Sequence, residues 1–155
     1  MVHNNRIAMI TLDQETLGAL SPKIRHEREV AIADLIHEGM LSLRSQAIGP
    51  YHVTLIVSDN RLIFDVVAED ASLTRMTVPL KSLRTIIKDY SIICESYAKA
   101  VAAADMHKIE AIDMGRRGLH NEGSALLKEL LESKVELDFD TARRLFTLIF
   151  VLHLR

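Results

Sequence analysis

One sixteen-residue segment, Ile109 to Ser124, concentrates side chains that can do chemistry. It reads IEAIDMGRRGLHNEGS. Its candidate functional residues are Glu110, Asp113, Arg116, Arg117, His120, Asn121 and Glu122. Guanidinium groups grip carboxylates and phosphates in bidentate fashion, and an imidazole beside a carboxylate can act as a general acid or base. The segment therefore indicates either an anion-binding site or a catalytic one.

The same residues also fit an ordinary structural role. Asp113 stands three and four residues before Arg116 and Arg117, with Glu110 one turn earlier. That is the spacing of ion pairs within one helix. A network of Glu110, Asp113 and Glu122 that supports the arginines, or that fixes a helix or subunit interface, therefore remains an alternative.

A second arginine pair occurs in FDTARR, from Phe139 to Arg144. If Asp140 caps a helix there, Arg143 lies in the first turn, where the helix dipole disfavours a cation. Either Asp138 and Asp140 neutralise it, or the helix start and the arginines bind an anion together. Were the two pairs to meet, four guanidiniums could hold a phosphate or carboxylate. No spacing in the sequence constrains that distance.

The segment from Ile109 to Ser124 is compatible with two local structures. Asp105 can cap a long helix, but Gly115, Gly118 and Gly123 each cost about 1 kcal/mol relative to alanine in a helix interior. A break at Gly118 or Gly123 is therefore as reasonable as one continuous helix. In the continuous version, a strip of small residues would let another helix approach closely. That strip comprises Ala111, Gly115, Gly118 and Ala125.

Alternating apolar residues predict strands ahead of this region. They are expected at Arg6–Leu12, Tyr51–Ser58, Arg61–Ala68 and Leu73–Val78, with a hairpin turn at Asp59–Asn60. These strands predict a small antiparallel sheet of three to four strands.

Helical spacing predicts the remaining elements. Ser21-Pro22 starts a helix whose apolar positions continue to Leu43, and Gly49-Pro50 ends that unit. Ser82 is expected to cap the next helix, and Asp138 or Asp140 the last. The class is therefore α+β, with the sheet packed against a helical layer. We expect one domain over residues 1–155, with a strand, helix and meander at about 6–79 and a helical half at about 81–155.

Composition limits the function classes. The chain has 155 residues, 48% hydrophobic and 26% charged, with a net charge of −2. This composition is typical of a folded domain and argues against a nonspecific nucleic-acid binder. A single cysteine, Cys94, is typical of a protein from a reducing compartment. Cys94 lies on an apolar stripe of a predicted helix, which favours a buried, inert thiol. The N-terminal stretch MVHNNRIAM has no apolar run suited to a signal peptide, so we expect none, and the apolar segment Leu145–Leu154 is about half the length that a membrane span needs. We expect a cytoplasmic protein.

Several long strings resemble a known family. They are HEREVAIADLI, GPY, KDYSIICESY, IEAIDMGRRGLHNEGS and DFDTARRLFTL. The chain resembles, from about Ile7 to its end, an uncharacterised protein family of alphaproteobacteria, number 0262 in the series of families of unknown function. The resemblance implies a soluble cytoplasmic bacterial protein. It implies no activity, cofactor or catalytic residue.

The sequence favours a non-catalytic interaction or anion-binding module. Its ligand-binding residues would be Arg116, Arg117, His120, Asn121, Arg143 and Arg144. A homodimer or another protein is a further candidate partner. The alternative is a small hydrolase or phosphoryl-handling enzyme that uses His120 as acid or base. No metal motif or nucleotide-binding loop is present, and no cofactor is assigned.

Overall fold

The computed structural model describes residues 4–12 and 21–153. The first residues of the chain and Leu154, which entered the signal-peptide and membrane predictions, lie outside them. The elements in chain order are β1 (Ile7–Leu12), α1 (Pro22–Glu38), β2 (Leu41–Leu43), β3 (Tyr51–Ser58), β4 (Arg61–Val67), β5 (Leu73–Pro79), α2 (Lys81–Ala102), α3 (Met106–Leu131), β6 (Val135–Leu137) and α4 (Phe139–His153). The α+β class is confirmed, with a C-terminal half that is largely helical.

The main sheet has four strands in the order β1-β3-β4-β5. β3, β4 and β5 form the expected antiparallel meander, and Asp59 in the β3–β4 turn takes a φ of 54°. The prediction of a purely antiparallel sheet is wrong for β1, which pairs with β3 in parallel. The reason is the connection: α1 lies between these strands in the chain, and such a crossover returns the chain in the same direction.

Helix α1 begins where the sequence indicates and ends earlier than expected. The Ser21 hydroxyl accepts a hydrogen bond from the Ile24 amide at 3.2 Å, and Pro22 is the first helical residue. The helix ends at Glu38, so the extension to Leu43 is wrong. Leu41 and Leu43 instead alternate as buried residues of β2, which pairs with β6 in a second, two-stranded sheet. Neither of these three-residue strands was predicted.

Helices α2 and α4 begin near the expected residues. The prediction that Ser82 caps α2 is wrong: Leu80 takes the cap position, and its amide donates to the Asn60 carbonyl at 2.9 Å. Asp138 immediately precedes α4, whereas Asp140 lies inside its first turn. Arg143 consequently lies beyond the first turn, and the expectation that it occupies the helix start is wrong.

Helix α3 is continuous across its three glycines, and Asp105 caps it by accepting from the Lys108 amide at 3.2 Å. Close packing explains two of the glycines. A Cβ on Gly115 would lie 2.8 Å from Ile93 of α2, and a Cβ on Gly123 would lie 2.4 Å from the Phe146 ring of α4. A Cβ on Gly118 would meet nothing within 4 Å. The close approach is therefore made at Gly115 and Gly123, and not along the whole predicted strip.

The hydrophobic core lies between the sheet and the helices. It includes Leu55 and Phe64 from the sheet and Phe146, Leu148 and Ile149 from α4, all 2% exposed or less. α4 contacts both α1 and α3, while α2 packs on α3. In the described part of the chain, every helix is too short or too polar to cross a lipid bilayer.

Candidate functional site

A pocket of about 590 Å³ opens between the helices. Arg116, Arg117 and His120 of α3 line it together with Arg143 and Arg144 of α4. The structure thus brings together the two arginine pairs, which lie far apart in the sequence. The remaining predicted site residues do not line this pocket: Asn121, Glu110 and Glu122 are exposed, and Asp113 is half-buried.

Asp113 holds both arginines of the first pair. Its carboxylate lies 2.5 Å from a terminal nitrogen of Arg116 and 3.2 Å from Nε of Arg117. The Arg116 guanidinium also stacks on the Tyr97 ring, 4.6 Å from its centroid. Burial is the largest single effect and lowers the pKa of Arg116, but the hydrogen bonds and charges of Asp113 and Tyr90 together outweigh it, and the pKa is raised. The expected helical ion pairs are therefore formed by Asp113.

Arg144 is held by two acidic residues of α1. Its Nε lies 3.4 Å from the Asp34 carboxylate, and a terminal nitrogen lies 3.3 Å from that of Glu38. A second terminal nitrogen donates to the Asp140 carbonyl at 3.3 Å. These contacts tie α4 to α1 and satisfy the charge of Arg144 within the protein.

Arg143 differs from the other three arginines. Its Nε atom is buried and makes no hydrogen bond, and its guanidinium forms no ion pair with any residue that the structure describes. Burying a polar group without a partner costs roughly 1–3 kcal/mol, and most buried polar groups in proteins are satisfied. Arg143 is therefore the pocket residue with unused binding capacity.

His120 lies at the inner side of the pocket and is 9% exposed. Its Nε2 lies 2.9 Å from the Thr147 hydroxyl, which itself donates to the Arg143 carbonyl. The Ser124 hydroxyl donates to the His120 carbonyl at 2.7 Å. With the Thr147 proton donated to the Arg143 carbonyl, the tautomer that completes this chain has its proton on Nε2, which then donates a hydrogen bond to Thr147.

The surroundings of His120 favour its neutral form. Its ring contacts those of Tyr90 and Phe146 edge to face, at centroid distances of 5.4 and 5.2 Å. Burial, followed by the charges of Arg143 and Arg116, lowers the pKa of His120 to about 4. At neutral pH the histidine is therefore an uncharged hydrogen-bonding group, and the cations beside it are the arginines.

Several lining residues of this pocket were not predicted: on α1 they include Glu27 and Asp34, and beside the His120 ring they are Tyr90 and Thr147. Tyr90 lines the pocket from α2, where the sequence placed it on an apolar stripe. Thr147 lines it from α4 and orients His120. Burial is the main cause that raises the pKa of Tyr90, so its phenol stays protonated at neutral pH. No local pattern marks these residues, because they acquire their role from packing between helices.

Metal and thiol chemistry receive no support from the described residues. Within residues 4–12 and 21–153, no three histidine, cysteine, aspartate or glutamate side chains converge where they could hold a metal ion. Cys94 is half-buried, and burial raises the pKa of its thiol. The thiolate, which is the reactive form, is therefore disfavoured at neutral pH.

Replacing Asp113 by asparagine is expected to lower the free energy of unfolding by about 1 kcal/mol, since two guanidiniums lose their shared counter-ion. The matched control is Glu110→Gln on the same helix, an exposed residue without an ion pair among those described, where we expect less than about 0.5 kcal/mol. Urea unfolding measures both. Equal effects would mean that Asp113 does not support the arginines.

Fold and site together define the class: an α+β protein with an arginine-lined pocket between its helices. The chain belongs to the uncharacterised protein family UPF0262, whose family model matches residues 4–155. It is 49% identical to a UPF0262 protein of Paramagnetospirillum magneticum over 100% of this chain and 99% of the relative.

Other relatives carry the same family name. One from Rhodopseudomonas palustris is 49% identical over 97% of this chain and 93% of its own. One from Nitrobacter hamburgensis is 47% identical over 96% of this chain and 92% of its own. No solved structure matches the chain.

Proposed function

We propose that this protein is a non-catalytic module that binds a small anionic ligand in the pocket between α1, α3 and α4. The observation that carries the proposal is Arg143, whose guanidinium has a buried Nε without a partner while it lines a pocket with three other arginines. A carboxylate or phosphate would supply the missing acceptor and a counter-charge in one contact. The volume, about 590 Å³, is in the range of small-molecule sites.

The environment of the pocket strengthens such a contact. Ala31 and Tyr90 contribute buried surface to the lining, and an anion held against such surface interacts more strongly with a cation than it does in bulk water. Neutral His120 and the Thr147 hydroxyl are polar lining groups that add no charge, and their hydrogen bonds are made within the protein. Three arginines already have acidic partners, so the pocket offers one strong anion position at Arg143.

The test is a phosphate and carboxylate titration followed by thermal unfolding, with wild type beside Arg143→Met. At a ligand concentration of 100 times Kd, we expect wild type to gain about 2.7 kcal/mol, several degrees in Tm. Arg143→Met should lose that gain. It should unfold near the wild-type temperature without ligand, because Arg143 makes no ion pair within the described residues for the methionine to remove.

The matched control is Arg25→Met, an exposed arginine of α1 that does not line the pocket. This variant should respond to the anion as wild type does. The proposal fails if no anion raises Tm, or if Arg25→Met loses the response as fully as Arg143→Met.

The enzyme alternative has no comparable observation behind it. In the predicted catalytic arrangement Glu110, Asp113 or Glu122 orients the imidazole, whereas the hydrogen-bond partners of the His120 ring within the described chain are Thr147 and Ser124. A homodimer or protein partner stays a prediction of the sequence, which light scattering of the purified protein would test.

A further inference from the structure

The charges around the pocket are unevenly paired. Arg116 and Arg117 share Asp113, and Arg144 has both Asp34 and Glu38. Apart from the histidines, the charged lining residues without an ion pair to any described residue are Arg143, Glu27 and Asp140. A ligand that carried only negative charge would satisfy Arg143 but would leave two carboxylates unpaired near it.

These unpaired groups lie at different depths. Nε of Arg143 is buried, whereas Glu27 and Asp140 are exposed at the rim. The position for a negative ligand group is therefore inside the pocket, and the positions for a positive group are at its edge.

The two rim carboxylates differ in what else they do. Asp140 lies in the first turn of α4, where a negative charge stabilises the helix dipole. Glu27 lies outside the first turn of α1, and no described cation pairs with it. Glu27 is therefore the carboxylate for which the fold itself provides no role.

We propose that the ligand is a small zwitterion whose carboxylate or phosphate binds Arg143 and whose ammonium group binds Glu27 at the rim. This inference rests on the proposed function, because it assigns the second half of the same ligand. It names a chemical class that includes ω-amino carboxylates and aminoalkyl phosphates.

Isothermal titration calorimetry on matched ligand pairs tests the inference. Glycine, β-alanine and 4-aminobutanoate are compared with acetate, propanoate and butanoate, and phosphoethanolamine with ethyl phosphate. Each pair differs by the ammonium group, and the carboxylate series varies the distance between the two charges. For the best-fitting pair we expect the zwitterion to bind about fivefold more tightly than its anion, the value of one ion pair at a partly exposed position.

Two variants test whether Glu27 causes the preference for the zwitterion. Glu27→Gln should abolish the preference for the zwitterion, so that each zwitterion and its matched anion bind with equal affinity. Glu29→Gln is the matched control on the same helix, because Glu29 is exposed and does not line the pocket. It should retain the full preference.

The outcomes separate this inference from the proposed function. If anions and zwitterions bind with equal affinity, anion binding stands and the zwitterion inference is overturned. If the preference survives Glu27→Gln, the assignment to Glu27 is overturned. If neither class of ligand binds, both the inference and the proposed function fail.

Discussion

Replacing Gly123 by alanine is expected to lower the free energy of unfolding by about 2 kcal/mol, whereas the same replacement at Gly118 should raise it by about 0.5–1 kcal/mol. Both glycines lie in the interior of α3, so both variants gain the same helix propensity. They differ in what the new methyl group meets. At Gly123 it would lie 2.4 Å from two atoms of the fully buried Phe146 ring, and at Gly118 it would meet no atom within 4 Å.

Phe146 cannot move aside without cost. Its ring packs on His120 and Tyr90, at centroid distances of 5.2 and 5.9 Å. The added methyl group would therefore force α3 and α4 apart or push Phe146 into its aromatic neighbours. Urea unfolding followed by circular dichroism measures the difference, which we expect to reach about 3 kcal/mol between the two variants. Similar stabilisation of both would disprove the close approach of the two helices at Gly123.

Acidification from pH 7 to pH 4 is expected to cost the folded state roughly 3 kcal/mol through His120 alone. The folded protein holds the pKa of His120 at about 4, compared with an ordinary value of 6.5. As the pH falls below 6.5, the unfolded chain binds a proton that the folded protein does not bind. Stability therefore falls between pH 6.5 and pH 4, and this contribution levels off below the folded pKa.

The comparison variant is His120→Gln, whose amide can donate to Thr147 but does not titrate. Its free energy of unfolding should fall less than that of wild type over the same range, with the two curves diverging below pH 6.5. His107→Gln, an exposed histidine of the same helix, serves as control and should follow wild type. Parallel curves for wild type and His120→Gln would contradict the burial of a neutral imidazole.

The sequence predicts those parts of the fold that local patterns define. β3 occupies the expected residues and β4 ends one residue early, because alternation along a half-buried strand is strong over seven or eight residues. β2 and β6 are different. Each has three residues, and the pairing of Leu41 with Leu137 joins segments from opposite halves of the chain. The helical spacing of apolar residues predicted that α1 extends to Leu43, since nothing local distinguishes Leu41 and Leu43 from residues of a helix.

In the candidate site, too, the sequence predicts what is local and misses what depends on long-range packing. The residue types of the pocket are visible in the sequence, as in the strings RR and TARR. The pairing of those residues is not. Arg144 finds Asp34 and Glu38 on another helix, and Arg143 finds no ion pair within the described chain. Which arginine is free depends on helix packing, so sequence alone could only propose all four together.

The β2–β6 sheet has a consequence for the time course of folding. Leu41 and Leu137 can pair only after the chain between them has been brought together, and such long-range contacts slow folding. The pocket shares this requirement, because its walls on α1 and α4 come from opposite halves of the chain. A chain in which α1 and α4 had not yet packed together would lack the pocket at Arg143. During refolding, the proposed anion binding is therefore expected to recover after most of the helical signal has returned.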